Sequence, residues 1–277
     1  MNLLEQTRYL IKQTGLKPDK LKGQNFCVDQ IVLQKMVAIA GVGKEDTVLE
    51  VGPGFGFLTV ELLNAAKKVI AVEIEPVLAR VLQSLAAVHS NLEIITGDVL
   101  KLDESKLPQE NYQVVANLPY SITSFFLKKF LALSHKPASL TLLIQKEVAQ
   151  RICAYPGQMS LLSLSVQLYA QAEIKGFIKP AAFYPSPKVS SAIIHITDLK
   201  SFPFADKVEE KFFWTVVKVG FGSKRKTLAN NLANSFHQSR QKIVDLLAKV
   251  GLKDLVRAQE LSASQWADLA SELKRLL

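Results

Sequence analysis

Residues 47–56 read Thr-Val-Leu-Glu-Val-Gly-Pro-Gly-Phe-Gly, a short apolar run that leads directly into three alternate glycines. The run has the length and β-branched content of a buried strand, and a helical pattern follows through Leu58, Leu62 and Leu63. A glycine turn between a strand and a helix lets the backbone approach a ligand closely, because glycine has no Cβ. The segment predicts the first strand, loop and helix of a ligand-binding α/β domain.

Four further buried strands are predicted downstream, at residues 69–74, 92–96, 113–117 and 140–144. Apolar strands that alternate with helices predict a parallel sheet covered on both faces. Residues 189–197 alternate more strongly and are predicted as a late strand of the same sheet. The fold class is therefore α/β, with a Rossmann-like, doubly wound, mostly parallel sheet.

A change of pattern at residues 199–204, Leu-Lys-Ser-Phe-Pro-Phe, predicts a domain boundary. All later segments are typical of helices, which we expect at residues 206–219, 225–236, 239–249 and 264–276. We therefore expect a first domain over residues 1–200 and a small all-α domain over residues 205–277.

Composition excludes several classes of protein. The 277 residues carry no secretion signal and no apolar run of ~20 residues, so we expect no membrane span. Cys27 and Cys153 are too few for a disulfide framework, which favours a reducing cytoplasm. The four histidines are scattered without ligand spacing, so no metal is expected.

The net charge of +9 suggests an acidic partner such as nucleic acid. Residues 205–277 hold 13 Lys and Arg against 8 Asp and Glu, so the smaller domain is the more basic per residue. On composition alone, a nucleic-acid partner and an idle basic surface are equally supported.

The glycine loop favours S-adenosylmethionine over a dinucleotide cofactor. A dinucleotide fingerprint requires glycine at the position that Phe57 occupies. Gly52, Gly54 and Gly56, preceded by Glu50, instead favour S-adenosylmethionine. A Rossmann dehydrogenase is the competing interpretation, weakened by Phe57 and by the lack of a catalytic Cys or His-Asp pair.

Polar side chains follow the next strands where each strand ends. Glu73 ends the second strand and is placed to accept both ribose hydroxyls, and Asp98 follows the third strand, where it suits the adenine amino group. Such acids also cap helices, but polar groups at successive strand ends favour one shared ligand site.

The turn Asn117-Leu118-Pro119-Tyr120 ends the fourth strand. The Asn117 side-chain oxygen and a carbonyl of the rigid Leu118-Pro119 turn can accept from the two hydrogens of an aromatic amino group, which frees its lone pair for attack. Tyr120 offers a ring on which a base can stack. The turn predicts a site for an extruded adenine.

Together these residues resemble the ribosomal RNA adenine dimethyltransferases, and the resemblance runs from about Gly23 to the C-terminus. The matching segments are Gly23-Gln24-Asn25-Phe26, Leu49 to Gly56, Val72-Glu73, Gly97-Asp98, Asn117 to Tyr120, Gln145-Lys146-Glu147-Val148, Phe183 to Val189 and Phe221 to Leu228. The resemblance implies dimethylation of N6 on two adjacent adenosines in a hairpin loop near the 3′ end of small-subunit ribosomal RNA. It also implies a monomeric enzyme with a part in small-subunit assembly.

The resemblance also implies roles for cofactor-binding residues. Asn25 and Cys27 would contact the methionine end of S-adenosylmethionine alongside Gly52, while Glu73 would take the ribose and Asp98 the adenine. Cys27 stands where the family usually has Leu, so we expect this contact to run through the backbone.

For the substrate, the resemblance implies that Asn117 orients the target amino group, with Tyr120 as a stacking platform and Phe183 as a second aromatic wall. Without the resemblance, core packing is the simpler interpretation of Phe183. Leu161 and Leu162 stand where the family often has Tyr-Gly, which puts local RNA contacts in doubt.

Lys224, Arg225 and Lys226 keep the charge of the family's basic cluster. Because cations at a helix start oppose the helix dipole, this cluster favours a phosphate partner over a solvated helix start. Residues 1–200 would then be the catalytic, cofactor-binding domain and residues 205–277 the RNA-binding domain.

Three alternatives remain from the sequence. They are a large-subunit methyltransferase of the macrolide-resistance type, a DNA adenine methyltransferase, and a non-catalytic assembly or transcription factor on the same fold. The long helical domain argues against the macrolide-resistance type. The Asn117 tetrapeptide argues against a DNA methyltransferase, and the intact Glu73 and Asp98 argue against a non-catalytic factor.

Overall fold

The computed structural model describes residues 1–18, 24–223 and 225–277. The chain forms two compact units, the first from Met1–Gln150 with Ala170–Leu199 and the second from Arg151–Tyr169 with Lys200–Leu277. The second unit therefore takes in residues 151–169, which we expected in the first domain. The activities assigned to the two parts remain predictions.

The first unit is built on a seven-stranded sheet and a two-stranded ribbon. Its strands are β1 (Phe26–Cys27), β2 (Thr47–Val51), β3 (Lys68–Glu73), β4 (Leu92–Thr96), β5 (Tyr112–Asn117), β6 (Ser139–Gln145), β7 (Gln171–Ile178), β8 (Phe183–Tyr184) and β9 (Ser191–Thr197). The sheet order is β4-β3-β2-β5-β6-β9-β7, and β1 pairs with β8.

Strands β2 to β6 are parallel, whereas β9 runs antiparallel to both β6 and β7. Parallel neighbours need crossover helices. The helices of this unit are α1 (Leu3–Thr14), α2 (Gln30–Ala40), α3 (Phe57–Ala65), α4 (Pro76–Ala86), α5 (Thr123–Ala132) and α6 (Lys146–Ile152). The expected fold class is confirmed. Strand β7 was not predicted from the sequence. Its alternation of apolar and polar residues is interrupted where the pairing register shifts between Ile174 and Gly176.

Strand β2 is the point where the direction of winding reverses. The chain passes from β2 to β3 and β4 on one side, and then returns to place β5 on the other side of β2. Open α/β sheets bind ligands at the carboxyl ends of the strands beside such a reversal. The topology therefore directs attention to the loop that follows Val51.

The core of this unit explains why the strands are almost entirely apolar. Val48, Val115, Leu143 and Ile193 lie in one cluster with residues of α2 and α3, including Met36. Asp29 caps the N-terminus of helix α2, and its carboxylate accepts from the Ile31 and Val32 N–H groups. Burial on this face fixes the register, since a shift of one residue would turn every side chain to the opposite face.

The second unit is entirely helical in its described residues. Its helices are α7 (Leu161–Gln167), α8 (Glu210–Gly220), α9 (Leu228–Ser235), α10 (Arg240–Lys249) and α11 (Ala263–Leu276). Helices α8 to α11 match the four helices expected after residue 205 to within a few residues, whereas α7 was not predicted. Trp266 and Phe213 are fully buried in its core together with Met159, Leu164 and Leu168. Those last three contacts explain why residues 151–169 belong to this unit.

None of the helices in the described part of the chain combines the length and apolar character needed to cross a bilayer.

Candidate active site

The carboxyl ends of β2, β3 and β5 meet at one open cleft. The side chains and loops that line it come from both sides of the winding reversal and from the β1 segment. Its lining residues include Gln24, Asn25, Phe26, Cys27, Glu50, Gly52, Pro53, Gly54, Phe55, Phe57, Glu73, Asn117 and Pro119. The residues predicted to bind the cofactor are Asn25, Cys27, Gly52, Gly54, Glu73, Asp98 and Asn117, the last of which the resemblance places near the methyl donor. The structure brings all of them except Asp98 together in this cleft.

The glycine loop leaves its backbone open toward this cleft. Gly54 has a φ of 60°, in the left-handed region, and a Cβ at this position would lie 3.0 Å from the Phe26 ring. Phe26 in turn packs on Phe55, with 4.6 Å between the ring centroids. Glycine is therefore required here both for the backbone conformation and for the close approach of an aromatic wall.

Glu73 is buried at the end of β3 and holds the glycine loop. Its carboxylate accepts from the Gly54 N–H at 3.1 Å and from the Glu75 N–H at 2.9 Å. Burial raises the pKa of Glu73, and these backbone hydrogen bonds oppose the shift. A carboxylate has about four lone-pair sites, so two hydrogen bonds leave acceptor capacity for ligand hydroxyls.

Glu50 lies on β2 beneath the same loop and is only 1% exposed. Its Oε2 atom has no hydrogen-bond partner among the described residues. Burial raises the pKa of this carboxyl to about 8, and the charge of Glu73 adds to the shift. A buried polar atom without a partner is expensive, so this atom is a candidate contact for a bound ligand.

The Asn117 amide is oriented by a distant part of the chain. Its Nδ2 donates to the backbone carbonyl of Asn25 at 3.0 Å, so Oδ1 remains as its acceptor. The Pro119 carbonyl accepts from the Ile122 N–H at 3.2 Å and closes the turn, which makes the Leu118 carbonyl the second candidate acceptor. Asn117 Oδ1 can therefore accept from a primary amino group, and a second acceptor at the Leu118 carbonyl remains a prediction.

Asp98 lies close to this site in the fold, although it does not line the cleft. The Gly97 N–H donates to the Glu73 carbonyl at 2.8 Å, which ties the segment after β4 to the end of β3. The Asp98 carboxylate accepts from the Leu100 N–H at 2.9 Å. Its role toward adenine remains a prediction.

The two aromatic residues predicted to contact the base lie outside the cleft lining. The Tyr120 hydroxyl is 2.6 Å from Ser191 Oγ, and burial raises its pKa. Phe183 is 3% exposed and lies in the core cluster, opposite Cys27 in the β1–β8 ribbon. Phe183 therefore packs as a core residue here, and its role as a wall for the base remains a prediction.

Cys27 is a buried thiol whose pKa is raised to about 11 by burial. A thiol with this pKa is uncharged at neutral pH, whereas nucleophilic cysteines react as thiolates. Its Sγ lies 3.9 Å from the Asp29 carbonyl oxygen. This environment agrees with an apolar residue at the position, and a ligand contact through the Cys27 backbone remains a prediction.

A second cavity, of about 190 Å³, lies within the helical unit. Its lining includes three cationic side chains, those of Arg151, Lys226 and Arg257. Arg225 is exposed beside Lys226, and Lys224 lies outside the described residues. Arg151 was missed by the sequence analysis because it is separated from the other cations by more than 70 residues and sits in an ordinary helical pattern.

No cluster of three or more His, Cys, Asp or Glu side chains capable of holding a metal ion is found in residues 1–18, 24–223 and 225–277.

Comparison with known proteins gives a consistent result. The family model for ribosomal RNA adenine dimethylase matches residues 17–275. The small-subunit ribosomal RNA methyltransferase A of Dehalococcoides mccartyi is 39% identical over 98% of this chain and 94% of its own length. The corresponding protein of Listeria welshimeri is 34% identical over 98% of this chain and 96% of its own length.

Two solved structures share the fold. A dimethyladenosine transferase from Plasmodium falciparum superposes with a TM-score of 0.75 at 24% identity, over 89% of this chain and 96% of its own. The 23S rRNA methyltransferase ErmE superposes with a TM-score of 0.70 at 25% identity, over 90% of this chain and 100% of its own. With a family model that spans nearly its whole length and relatives that match it from end to end, this chain belongs to the ribosomal RNA adenine dimethylase family.

Proposed function

We propose that this protein transfers methyl groups from S-adenosylmethionine to N6 of adenosines in small-subunit ribosomal RNA. The observation that carries the proposal is the placement of Asn117 and the Pro119 turn in the same cleft as Gly54 and Glu73. One cleft thus offers an amino-group site beside a nucleotide site, in a chain up to 39% identical to small-subunit enzymes.

The charge of the cleft suits this cofactor. Its described lining contains the carboxyls of Glu50 and Glu73 but no Lys, Arg or His. S-adenosylmethionine carries a sulfonium and an ammonium against one carboxylate, whereas the pyrophosphate of a nicotinamide dinucleotide would meet no cationic side chain in the described lining. The residues present therefore fit S-adenosylmethionine and argue against the dehydrogenase interpretation.

The protein's part in the reaction is positioning. The bound sulfonium supplies an already activated methyl donor, so no metal or covalent intermediate is required. Glu73 would accept from the ribose hydroxyls, and Asn117 Oδ1 with the Leu118 carbonyl would accept from the adenine amino group. Acceptors held in place before reaction stabilise the charge that develops on nitrogen without reorganisation.

The finer details remain our predictions. They are the target of two adjacent adenosines in a hairpin loop near the RNA 3′ end, the stacking roles of Tyr120 and Phe183, and phosphate contacts by Arg225 and Lys226. A part in small-subunit assembly, a monomeric state and a cytoplasmic location are proposed on the same basis. The macrolide-resistance alternative is not favoured, since the curated relatives are small-subunit enzymes.

To test the proposal, the purified protein is incubated with labelled S-adenosylmethionine in two separate reactions. One contains small ribosomal subunits and the other large ribosomal subunits, both lacking the modification. We expect label only in small-subunit RNA, recovered after digestion as N6,N6-dimethyladenosine. Label confined to large-subunit RNA would support the alternative, and cofactor binding without transfer to either RNA would support a non-catalytic factor.

A further inference from the structure

A second group of side chains lies at the same end of the sheet as Asn117 and takes no part in the reaction described above. The Tyr120 hydroxyl is 2.6 Å from the Oγ atom of Ser191, the first residue of β9. Ser191 pairs with Gln145 at the end of β6 and with Ile178 at the end of β7. Because neighbouring strands are ~4.8 Å apart, these two strand ends lie one strand spacing to either side of Ser191.

The residues next to the two strand ends are Lys146 and Phe177, and they contact each other. The Lys146 ammonium lies over the Phe177 ring, 4.9 Å from its centroid. The Lys146 N–H donates to the Ser190 carbonyl at 3.0 Å, which holds Lys146 beside β9. Phe177 is 55% exposed, on the strand at the margin of the sheet. A ring and an ammonium are therefore presented together beside the site proposed for the target adenine.

The charge around this pair is positive. Lys146 and the exposed Lys179 have no ion-pair partner among the described residues, whereas Glu173 on β7 is paired with Lys175 at 2.6 Å. Glu147 is exposed on α6, so three lysines face two glutamates here. Single exposed apolar side chains are common on protein surfaces. A ring that carries an unpaired ammonium differs from these, because proteins bind single nucleic-acid strands by base stacking combined with cations for the backbone.

We propose that the Lys146–Phe177 pair binds the nucleotide that adjoins the target adenosine in the RNA strand. The base of this nucleotide stacks on the exposed part of the Phe177 ring, and the phosphate between the two nucleotides contacts the Lys146 ammonium. This stacking replaces part of the contact that is lost when the adenine leaves its neighbours, and it directs the amino group toward Asn117. The inference rests on the proposed function, because it starts from an adenosine held at Asn117.

The test measures binding of a labelled RNA hairpin, whose loop contains two adjacent adenosines, by fluorescence anisotropy over a range of salt concentrations. Phe177→Ala should weaken binding ~5–150-fold, the effect of losing one stacked base, without a change in salt dependence. Phe177→Tyr keeps a ring and should keep the affinity. Lys146→Ala should reduce the slope of log K against log salt by ~0.7–0.9. Lys68→Ala is the control, since this exposed lysine begins β3 at the opposite end of the strands.

Affinity for S-adenosylmethionine should not change in any variant, because neither Lys146 nor Phe177 is in the described lining of the cofactor cleft. In single-turnover methyl transfer, Phe177→Ala should need a higher concentration of small subunits for the half-maximal rate. An unchanged half-maximal concentration in Phe177→Ala, or an unchanged salt slope in Lys146→Ala, would overturn the inference. If Phe177→Ala does not fold, the slope of Lys146→Ala decides alone. A wild type that transfers no methyl group to small subunits would instead overturn the proposed function.

Discussion

The Asn117 side chain donates from Nδ2 to the Asn25 carbonyl at 3.0 Å, a contact between residues that are 92 positions apart. Asn117 ends β5, whereas Asn25 immediately precedes β1. The contact therefore joins the group proposed to orient the target adenine to the segment proposed to contact the cofactor's methionine end. It also selects the orientation of the amide, because a donor pointed at Asn25 leaves the oxygen to accept from the substrate.

Replacement of Asn117 tests the role of that oxygen. Asn117→Ala should lower the rate of methyl transfer by ~10²–10³-fold, the scale observed when one preorganised hydrogen-bonding group is removed from an active site. The rate is measured by single-turnover transfer to small subunits at saturating cofactor. Cofactor affinity, measured in parallel by calorimetry, should fall much less. A near-normal rate in Asn117→Ala would exclude the amino-group role.

Replacement of Glu73 tests the cofactor site. Glu73→Ala should weaken S-adenosylmethionine binding by about 1.5–3 kcal/mol, which corresponds to a rise in Kd of ~10–150-fold. Because Glu73 also accepts from the Gly54 N–H, part of this loss will come from a looser glycine loop. Glu73→Gln is the matched variant, since it keeps an acceptor and the volume and should lose less. Unchanged affinity in both variants would remove Glu73 from the ribose site.

The raised pKa of Glu50 makes stability depend on pH. The pKa is about 8 in the folded protein and 4.5 as the ordinary value, so between these values the unfolded chain gives up the proton while the folded chain keeps it. The stability associated with the neutral acid is therefore fully present below pH 4.5 and is lost as the pH rises toward 8. Chemical denaturation of the cofactor-free protein from pH 5 to pH 9 should show this decline.

Glu50→Gln should remove most of that decline, because an amide does not ionise. The variant should therefore gain stability relative to the wild type as the pH rises. Parallel curves for the two proteins over the whole range would show that Glu50 is charged in the folded protein.

The basic cluster of the helical unit is tested through salt dependence. If Lys224, Arg225 and Lys226 contact phosphates, replacing all three with Ala should reduce the slope of log K for RNA binding against log salt by ~2–3, at ~0.7–0.9 for each contact. Cofactor affinity should not change. Lys68→Ala is the control, since Lys68 begins β3 at the edge of the sheet opposite the cleft. An unchanged slope in a triple variant that unfolds cooperatively would place the RNA contacts elsewhere.

The sequence predicts those parts of the fold and site that depend on local pattern. The parallel strands, their order of appearance, and the gathering of Gly52, Glu73 and Asn117 at one edge follow from apolar runs that end in polar residues. The contact between Asn117 and Asn25 could not be predicted, because it depends on where the β1–β8 ribbon lies in the folded chain. The resemblance led us to predict Phe183 as a wall for the base, whereas the structure buries it in the core; the sequence alone could not separate the two, since an aromatic residue in a Pro-rich loop fits both.

Two further features could not be predicted, because they also depend on tertiary packing. Arg151 joins Lys226 and Arg257 at one cavity only through tertiary packing. The unpaired state of Glu50 also depends on neighbours from other elements, among them Thr59 and Glu73. Local patterns identify which residues are polar at a strand end, whereas their charge state and partners are set by residues distant in sequence.

The inclusion of Arg151–Tyr169 in the helical unit affects how this protein can be divided for experiments. The polypeptide passes between the two units three times, so no single cleavage point separates them. A fragment that ends at residue 200 would keep Met159, Leu164 and Leu168 but lose the core into which they pack, leaving an apolar surface prone to aggregation. A chimera that exchanges substrate specificity with a relative must therefore transfer two segments together, and the deletion of the helical unit must replace residues 151–169 with a short linker.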